Sequence, residues 1–358
     1  MRDDGDGIIC YNVKAFIPFL IQKNMAKKIK VAINGFGRIG RASFKIMLDS
    51  SKYEVVAIND LAPAESLAYL LKYDTMYGRY NKKVDSKDNN IIVNGKKYLV
   101  TAVPEPDKLP WKKLGVDVVL ECTGRFVKSE QASLHIKAGA KKVIISAPAK
   151  GSDVMTYLLG VNEDKYKQDK VLSNASCTTN CIAPVAQVMV TNFGVEKAMM
   201  TTIHSYTADQ HLVDSPHKDP RRGRTAAQNI VPTTTGAAIA TGQVIPEMEG
   251  LFDGLSIRVP TAVVSLADFT FVLKKNVTVE QVNKALTKAS LSPRLKNILG
   301  VTSEPVVSSD FIKDTRSSIV DLSLTKVVGG NMVKIIAWYD NEWGYSCRLV
   351  DMVGQISK

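Results

Sequence analysis

No stretch of 18 uninterrupted apolar residues occurs anywhere in the 358-residue chain, which excludes an ordinary membrane-spanning helix. Cysteine is sparse. Cys10, Cys122, Cys177, Cys181 and Cys347 are odd in number and widely scattered, so a disulfide framework is excluded and a reducing, cytoplasmic setting is expected. Internal repeats, heptads and low-complexity tracts are also missing, which leaves no sequence signature of a solenoid or a coiled coil. Acid is short relative to base, with 35 Asp and Glu against 47 Lys and Arg and a net charge of +12. The lysines are interleaved with acids along the whole chain. The charge therefore favours anions, phosphorylated metabolites among them, and neither a specific nucleic-acid partner nor a membrane is expected.

What remains is a composition with 45% hydrophobic and 23% charged residues, long enough for two domains of ordinary size. The most apolar stretch, "GIICYNVKAFIPFLIQ", is interrupted by Lys14 and Pro18. It follows "MRDDGDG", which is acidic where a secretory signal needs a basic region. Residues 1–24 are expected to be an appendage, followed by a second methionine in "MAKKIKVAING".

The first chemical signal is "KKIKVAINGFGRIGRASFKIMLDS". Ile29, Val31 and Ile33 alternate as in a strand. Gly35, Gly37 and Gly40 then spell G-x-G-x-x-G ahead of a helical pattern through Phe44, Met47 and Leu48. About 20 residues on, a second apolar run ends at Asp60, the spacing of a dinucleotide fingerprint. In that motif bare glycine backbone admits a pyrophosphate, helix-start amides hold its charge, and a carboxylate takes the ribose hydroxyls. The plain alternative is a tight strand-to-helix turn.

Further strands are predicted at "NNIIVNGKKYLVTAV", with Asn94-Gly95 as its hairpin turn, at "VDVVLECTG" and at "KKVIISAPA". The amphipathic "KSEQASLHIKAGA", closed by Gly139, reads as a crossover helix. This alternation predicts a Rossmann-type, doubly wound α/β domain over residues 25–176, its parallel sheet covered on both faces. Beyond it, "AMMTTIHSYT", "GLSIRVPTAVVSLADFTFVLKK" and "NMVKIIAWYDNEWGYS" are longer β-type runs. They predict an α+β catalytic domain over residues 177–341 on a mostly antiparallel sheet. Residues 342–358, including "YSCRLVDMVGQIS", are expected to form a helix packing back on the first domain. The stretch from about 206 to 230 has no clean periodicity, and a loop that long in a compact domain usually has a function.

"SNASCTTNC", residues 173–181, joins the two domains. A helix is predicted to begin near Cys177, with Ser176 or Thr178 as its cap and Pro184 in its first turn. A thiol there sits at the positive end of the helix dipole, which should lower its pKa, while Cys181, one turn further, should face inward. Zinc is a poor alternative, since C-x₃-C leaves two ligands to find and His204 and His211 form no partner motif; no metal is expected. A buried, inert cysteine is disfavoured by Ser176, Thr178 and Thr179, hydroxyls that are costly in an apolar core unless something polar meets them. His204, at the end of a strand run, is the candidate base. An NAD domain beside an activated thiolate points to aldehyde oxidation through a thioester.

At these residues the chain resembles the phosphorylating glyceraldehyde-3-phosphate dehydrogenase family. "INGFGRIGR", "AYLLKYDTMYGRY", "LECTGRF", "SNASCTTNC", "NIVPTTTGAA", "RVPTAVVS" and "WYDNEWGYS" match its signatures in order, across residues 27–358. The resemblance implies Cys177 as nucleophile and His204 as its base and stabiliser of the hemithioacetal oxygen. It implies that Thr207, Asp209 and Arg258 hold the C3 phosphate of glyceraldehyde 3-phosphate, and that Ser176, Thr178, Thr235, Gly236 and Arg222 meet the attacking inorganic phosphate. It assigns NAD to Asn34, Gly35, Phe36, Gly37, Arg38, Ile39, Gly40, Asp60, Thr123, Gly124 and Ser146, with Asn341 orienting the nicotinamide carboxamide. Asn180 would brace the loop and Cys181 pack beneath it. Asp60 disfavours a 2′-phosphate, and the family pairs NAD preference with a proline like Pro216. Ser215 departs from the leucine common in NAD-specific bacterial members and leaves room for NADP. "HKDPRRGR" is closer to bacterial and plastid-type members. A homotetramer with contacts through the loop near 206–230 is also implied. Two rivals share these residues: a sister enzyme acting on erythrose 4-phosphate, and a non-catalytic RNA- or partner-binding protein on the same fold.

Overall fold

A computed structural model describes residues 27–358. The appendage expected at residues 1–24 lies outside the described residues.

The first half of the chain alternates strands and helices. In chain order it runs β1 (Ile29–Asn34), α1 (Arg38–Leu48), β2 (Tyr53–Asn59), α2 (Ala64–Lys72), β3 (Val84–Lys87), β4 (Asn90–Val93), β5 (Lys96–Thr101), α3 (Trp111–Leu114), β6 (Val118–Glu121), α4 (Ser129–Lys137), β7 (Lys142–Ile145), β8 (Met155–Thr156) and β9 (Val171–Ser173). These strands form one sheet in the order β3-β4-β5-β2-β1-β6-β7-β9-β8. Pairing is parallel throughout except at the edge, where β3, β4 and β5 are antiparallel. The predicted hairpin turn lies between β4 and β5, and Asn94 and Gly95 both take positive φ, +47° and +82°, as a two-residue turn requires. One sheet face packs Val31, Ile33 and Leu120 against Phe44 and Met47 of α1. The other packs Ala32, Val119 and Val143 against Trp111 and Ala132. Burial on both faces explains the near-continuous apolar strands.

The chain leaves β1 for β2 on one side and returns to β6 on the other. That reversal opens a crevice at the carboxyl ends of β1, β2 and β6.

The second half runs α5 (Cys177–Phe193), β10 (Val195–Ser205), β11 (Val231–Thr234), α6 (Ala237–Val244), β12 (Phe252–Val259), β13 (Ser265–Leu273), α7 (Val279–Ser290), β14 (Leu299–Thr302), β15 (Ser318–Asp321), β16 (Lys326–Val328), β17 (Met332–Tyr339) and α8 (Trp343–Ile356). Its sheet is mostly antiparallel, as expected, with parallel pairing only at β10–β12 and β14–β15. Alternate residues of β13, among them Ala267, Phe269 and Phe271, pack beneath Ile182, Val185 and Met189 of α5. Residues 206–230 contain neither helix nor strand. Helix α8 returns to the first sheet, where Leu349, Val350, Met352 and Val353 join the core that holds Phe44 and Met47.

One local expectation is corrected. Helix α5 does begin at Cys177 with Ser176 as its cap, but Pro184 lies inside it, about two turns beyond the start. There proline removes the hydrogen bond to the Asn180 carbonyl instead of occupying a position with no partner. The burial of eleven of the helix's seventeen residues outweighs that loss.

Candidate active site

Three neighbouring elements bring the reactive side chains together. Ser176 caps α5 through its hydroxyl, which accepts from the Thr179 amide at 3.1 Å, and so holds Cys177 at the first helical position. Ala175, just before the cap, has φ +53°, a conformation that disfavours a side chain. It is held there by the Ser173 hydroxyl accepting from its amide and by Tyr345 donating to its carbonyl. Asn180 braces the same turn, its amide donating to the carbonyls of Asn174 and Ser176 at 2.9 and 3.0 Å. Cys181 is buried and packs beneath, its sulfur 3.5 Å from the Ser318 hydroxyl. Cys181 thus faces inward, as expected.

Strand β10 delivers His204, and its parallel register with β12 sets His204 directly beside Arg258. The Cys177 sulfur lies 3.5 Å from His204 Nε2. His204 Nδ1 is 2.7 Å from the Ser205 carbonyl, which only accepts, and 3.2 Å from Arg258 Nη1, which only donates; the shorter contact puts the proton on Nδ1, so Nε2 presents its lone pair to sulfur. Arg258 donates to the same carbonyl and to the Thr207 hydroxyl at 3.1 and 3.2 Å. Its buried Nε has no hydrogen-bond partner among the described residues.

The lowered thiol pKa expected from the helix start is not found. Burial pushes the Cys177 thiol up, and this outweighs the pull of Arg258 and of Thr178 in the other direction. Burial, joined by the repulsion of Arg258, pulls His204 down to about 3. Both effects favour a thiol hydrogen-bonded to a neutral imidazole, so the base takes the proton as the reaction proceeds. Tyr339, which the sequence did not single out, supports this pair. Its hydroxyl bridges Thr178 and Thr202 at 3.0 and 2.9 Å, and its ring meets the His204 ring edge-on. The signal was its place at the end of a strand run in "AWYDNEW".

Other proposed anion ligands divide into two groups. Thr207 joins Arg258. Asp209 pairs with Arg222, which also bonds the Thr233 hydroxyl at 2.9 Å and the Thr234 carbonyl at 3.1 Å. A carboxylate and a phosphate both accept hydrogen bonds, so Asp209 acts by holding Arg222 instead of touching a phosphate itself. Thr233, itself donating to Asp219 at 2.6 Å, was missed for want of any motif distinguishing it from its neighbours. The turn at Thr235 and Gly236 adjoins this arginine, with open space above Gly236. The Ser176 hydroxyl serves as the helix cap, and that of Thr178 is engaged with Tyr339.

The crevice holds a cleft of ≈ 300 Å³ lined by Asn34, Gly35, Gly37, Asp60, Thr123 and Arg125, among others. Gly35 has φ +91°, and a Cβ there would meet the backbone of Cys122 and Thr123 at 2.8 Å; one on Gly40 would meet the Gly35 carbonyl oxygen at 2.2 Å. These two glycines let β1, β6 and α1 converge. Gly37, by contrast, faces open space at the start of α1, where no side chain caps the helix. Asp60 is aimed into place by the amides of Phe36 and Ala62, at 2.7 and 3.0 Å. An open glycine at an uncapped helix start, with a fixed carboxylate beside it, fits a dinucleotide.

Several expected cofactor residues contribute differently. The Phe36 ring is buried against Phe44, so its amide is what serves the cleft. Ile39 packs on the core. Arg38 ties α1 to the start of α8, bonding Asp74 at 2.7 Å and Glu342 at 2.8 Å. The Ser146 backbone amide donates to the Glu121 carbonyl at 3.0 Å. Gly124 has φ +69° with nothing above it. Asn341 is buried, its carbonyl oxygen taking the hydroxyls of Ser205 and Ser265 at 2.9 and 3.2 Å, which turns its amide nitrogen the other way. Cys177 packs against both domain cores, so the sulfur lies at their junction.

With this geometry in hand, comparison with known proteins is direct. Residues 29–129 match the family profile described as glyceraldehyde 3-phosphate dehydrogenase, NAD binding domain, and residues 176–341 match the C-terminal domain of the same family. A glyceraldehyde-3-phosphate dehydrogenase of Geobacillus stearothermophilus is 54% identical over 331 residues, covering 92% of this chain and 98% of its own. One of Bacillus cereus is 53% identical with the same coverage, and one of Zymomonas mobilis is 50% identical, covering 92% of this chain and 99% of its own. The chain belongs to the glyceraldehyde-3-phosphate dehydrogenase family of NAD-dependent oxidoreductases.

Proposed function

We propose that the chain oxidises glyceraldehyde 3-phosphate with NAD and inorganic phosphate to 1,3-bisphosphoglycerate, in glycolysis or its reversal. The observation that carries this is the 3.5 Å approach of the Cys177 sulfur to His204 Nε2, with Nδ1 tied to a carbonyl. His204 accepts the thiol proton as sulfur bonds to the aldehyde carbon, and returns it to the oxygen to complete the hemithioacetal. NAD, held by the glycine turn, Asp60 and Asn341, would supply the hydride acceptor. His204 then withdraws the hydroxyl proton while the carbon loses hydride, leaving an acyl thioester on Cys177. Orthophosphate attacks that carbonyl, the carbon–sulfur bond breaks, and His204 returns the proton it holds to the departing sulfur, which restores the thiol. Thr207 and Arg258 are suited to the C3 phosphate. Arg222, beside the turn at Thr235 and Gly236, is suited to the attacking phosphate.

The test compares reduced-cofactor formation from glyceraldehyde 3-phosphate and erythrose 4-phosphate, each with and without phosphate. Phosphate-dependent turnover of the first is expected, abolished in Cys177→Ser. Preference for the second aldehyde would make this the sister enzyme, and no turnover of either would leave a binding protein.

A homotetramer and a cytoplasmic setting go with this reading. The exposed Leu212, Val213 and Ile230 in and beside the long loop support the first. Four described cysteines left as free thiols support the second.

A further inference from the structure

Along the floor of the cleft, and partly lining it at Asn34 and Asn59, runs a row of mostly buried polar side chains whose hydrogen bonds to one another the proposed chemistry leaves unexplained. Thr101, Asn59, Asn34 and Glu121 are the last residues of β5, β2, β1 and β6, four strands adjacent in that order. The Thr101 hydroxyl donates to Asn59 Oδ1 at 2.8 Å. Asn59 Nδ2 donates to Asn34 Oδ1 at 2.7 Å, and Asn34 Nδ2 donates to Glu121 Oε2 at 2.6 Å. The row then leaves the sheet. His135 Nε2 lies 3.0 Å from the same Glu121 oxygen, and Trp111 Nε1 donates to His135 Nδ1 at 2.9 Å. An indole N–H can only donate, so Nδ1 accepts and Nε2 carries the proton toward Glu121. Glu121 spends its other oxygen, Oε1, on the amide and hydroxyl of Thr123.

We propose that this ladder is a positioning device for the cofactor, and that His135 and Trp111, which do not line the cleft, set its affinity by fixing Glu121. Each rung ends a strand whose next residues form the cleft wall: Asp60 after Asn59, Gly35 after Asn34, and Thr123 two residues after Glu121. A buried polar row contributes little net stability over apolar side chains of similar shape. What it supplies is direction, because each hydrogen bond fixes one strand end relative to the next. Phe126, a cleft residue, also meets the His135 ring edge-on.

The inference rests on the reading of the cleft as the NAD site. The experiment is direct titration of NAD against His135→Leu, His135→Gln and Trp111→Phe, together with kcat, both KM values and Tm. In His135→Leu the dissociation constant and KM for NAD should rise roughly tenfold, the scale of one buried hydrogen bond. Its kcat and its KM for the aldehyde should stay within about twofold. Glutamine can accept from Trp111 and donate to Glu121, so His135→Gln should restore most of the affinity. Wild-type NAD affinity in His135→Leu, whatever its Tm, would overturn the proposal, as would equal impairment in His135→Gln. Should His135→Leu fail to fold, Trp111→Phe decides, since it keeps the ring packing and removes the donor that sets the tautomer. A few-fold weaker NAD supports the ladder, and unchanged binding refutes it. A wild-type protein that binds no NAD would instead remove the reading of the cleft, and this inference with it.

Discussion

The two residues on which the chemistry turns are held in neutral forms by their surroundings. His204, pulled from 6.5 to about 3 by burial and Arg258, remains an available base throughout the neutral range. Replacing it with asparagine should slow phosphate-dependent turnover by roughly 10²–10⁴-fold, the usual scale for a positioned base. A full rate in steady-state assays would remove that role. The same shift links folding to pH. Between about 6.5 and 3 the unfolded chain binds the histidine proton and the folded chain does not, so stability falls as pH drops through that window and is fully present above it. His204→Asn should therefore lose less Tm on acidification from pH 7 to 4 than the parent. Asp60 makes a separate claim. Its carboxylate is aimed by two backbone amides toward the place of a ribose, where a 2′-phosphate would be repelled. Asp60→Gly should raise the kcat/KM ratio of NADP to NAD, and an unchanged ratio would place discrimination elsewhere, with Ser215 the next residue to vary.

Among elements, the turn from β1 into α1 separates fold from binding within six residues. Gly40 lies against the Gly35 carbonyl, whereas Gly37 has nothing within 4 Å of a built Cβ. Gly40→Ala is expected to destabilise the protein by roughly 1–3 kcal/mol, the cost of forcing backbone apart in a packed site, read as a lower denaturant midpoint. Gly37→Ala should leave that midpoint almost unchanged and weaken NAD binding, because the methyl group would stand where the pyrophosphate approaches. If both variants lose stability equally, the contrast between a packing glycine and a binding glycine fails. Helix α5 shows the complementary case. It keeps Pro184 in its interior because the helix is needed whole, with Cys177 at one end and the core residues Val185, Ala186 and Met189 along its length.

For the molecule as a whole, the question is what covers Leu212, Val213 and Ile230, which are 77, 71 and 71% exposed. A second copy is the expected cover, and light scattering should return a tetramer. Leu212→Asp combined with Val213→Asp should shift the mass toward smaller species, and an unchanged mass would place the contacts outside the loop. Where sequence reading succeeded, the signal was local. The glycine turn, the Asn94-Gly95 hairpin, the cap at Ser176 and the alternation of strands with helices all follow from steric and hydrogen-bonding rules among residues a few positions apart. The same rules put Asp60 after β2 and Cys177 at a helix start. They could not pair His204 with Arg258, since that depends on the register of β10 against β12. Nor could they give Tyr339 to Thr178, commit Asp209 to Arg222, or reveal that burial pushes the Cys177 thiol up. Local pattern decides which element a residue joins and which way it faces. Partners distant along the chain, and the dielectric around them, exist only once the elements have packed.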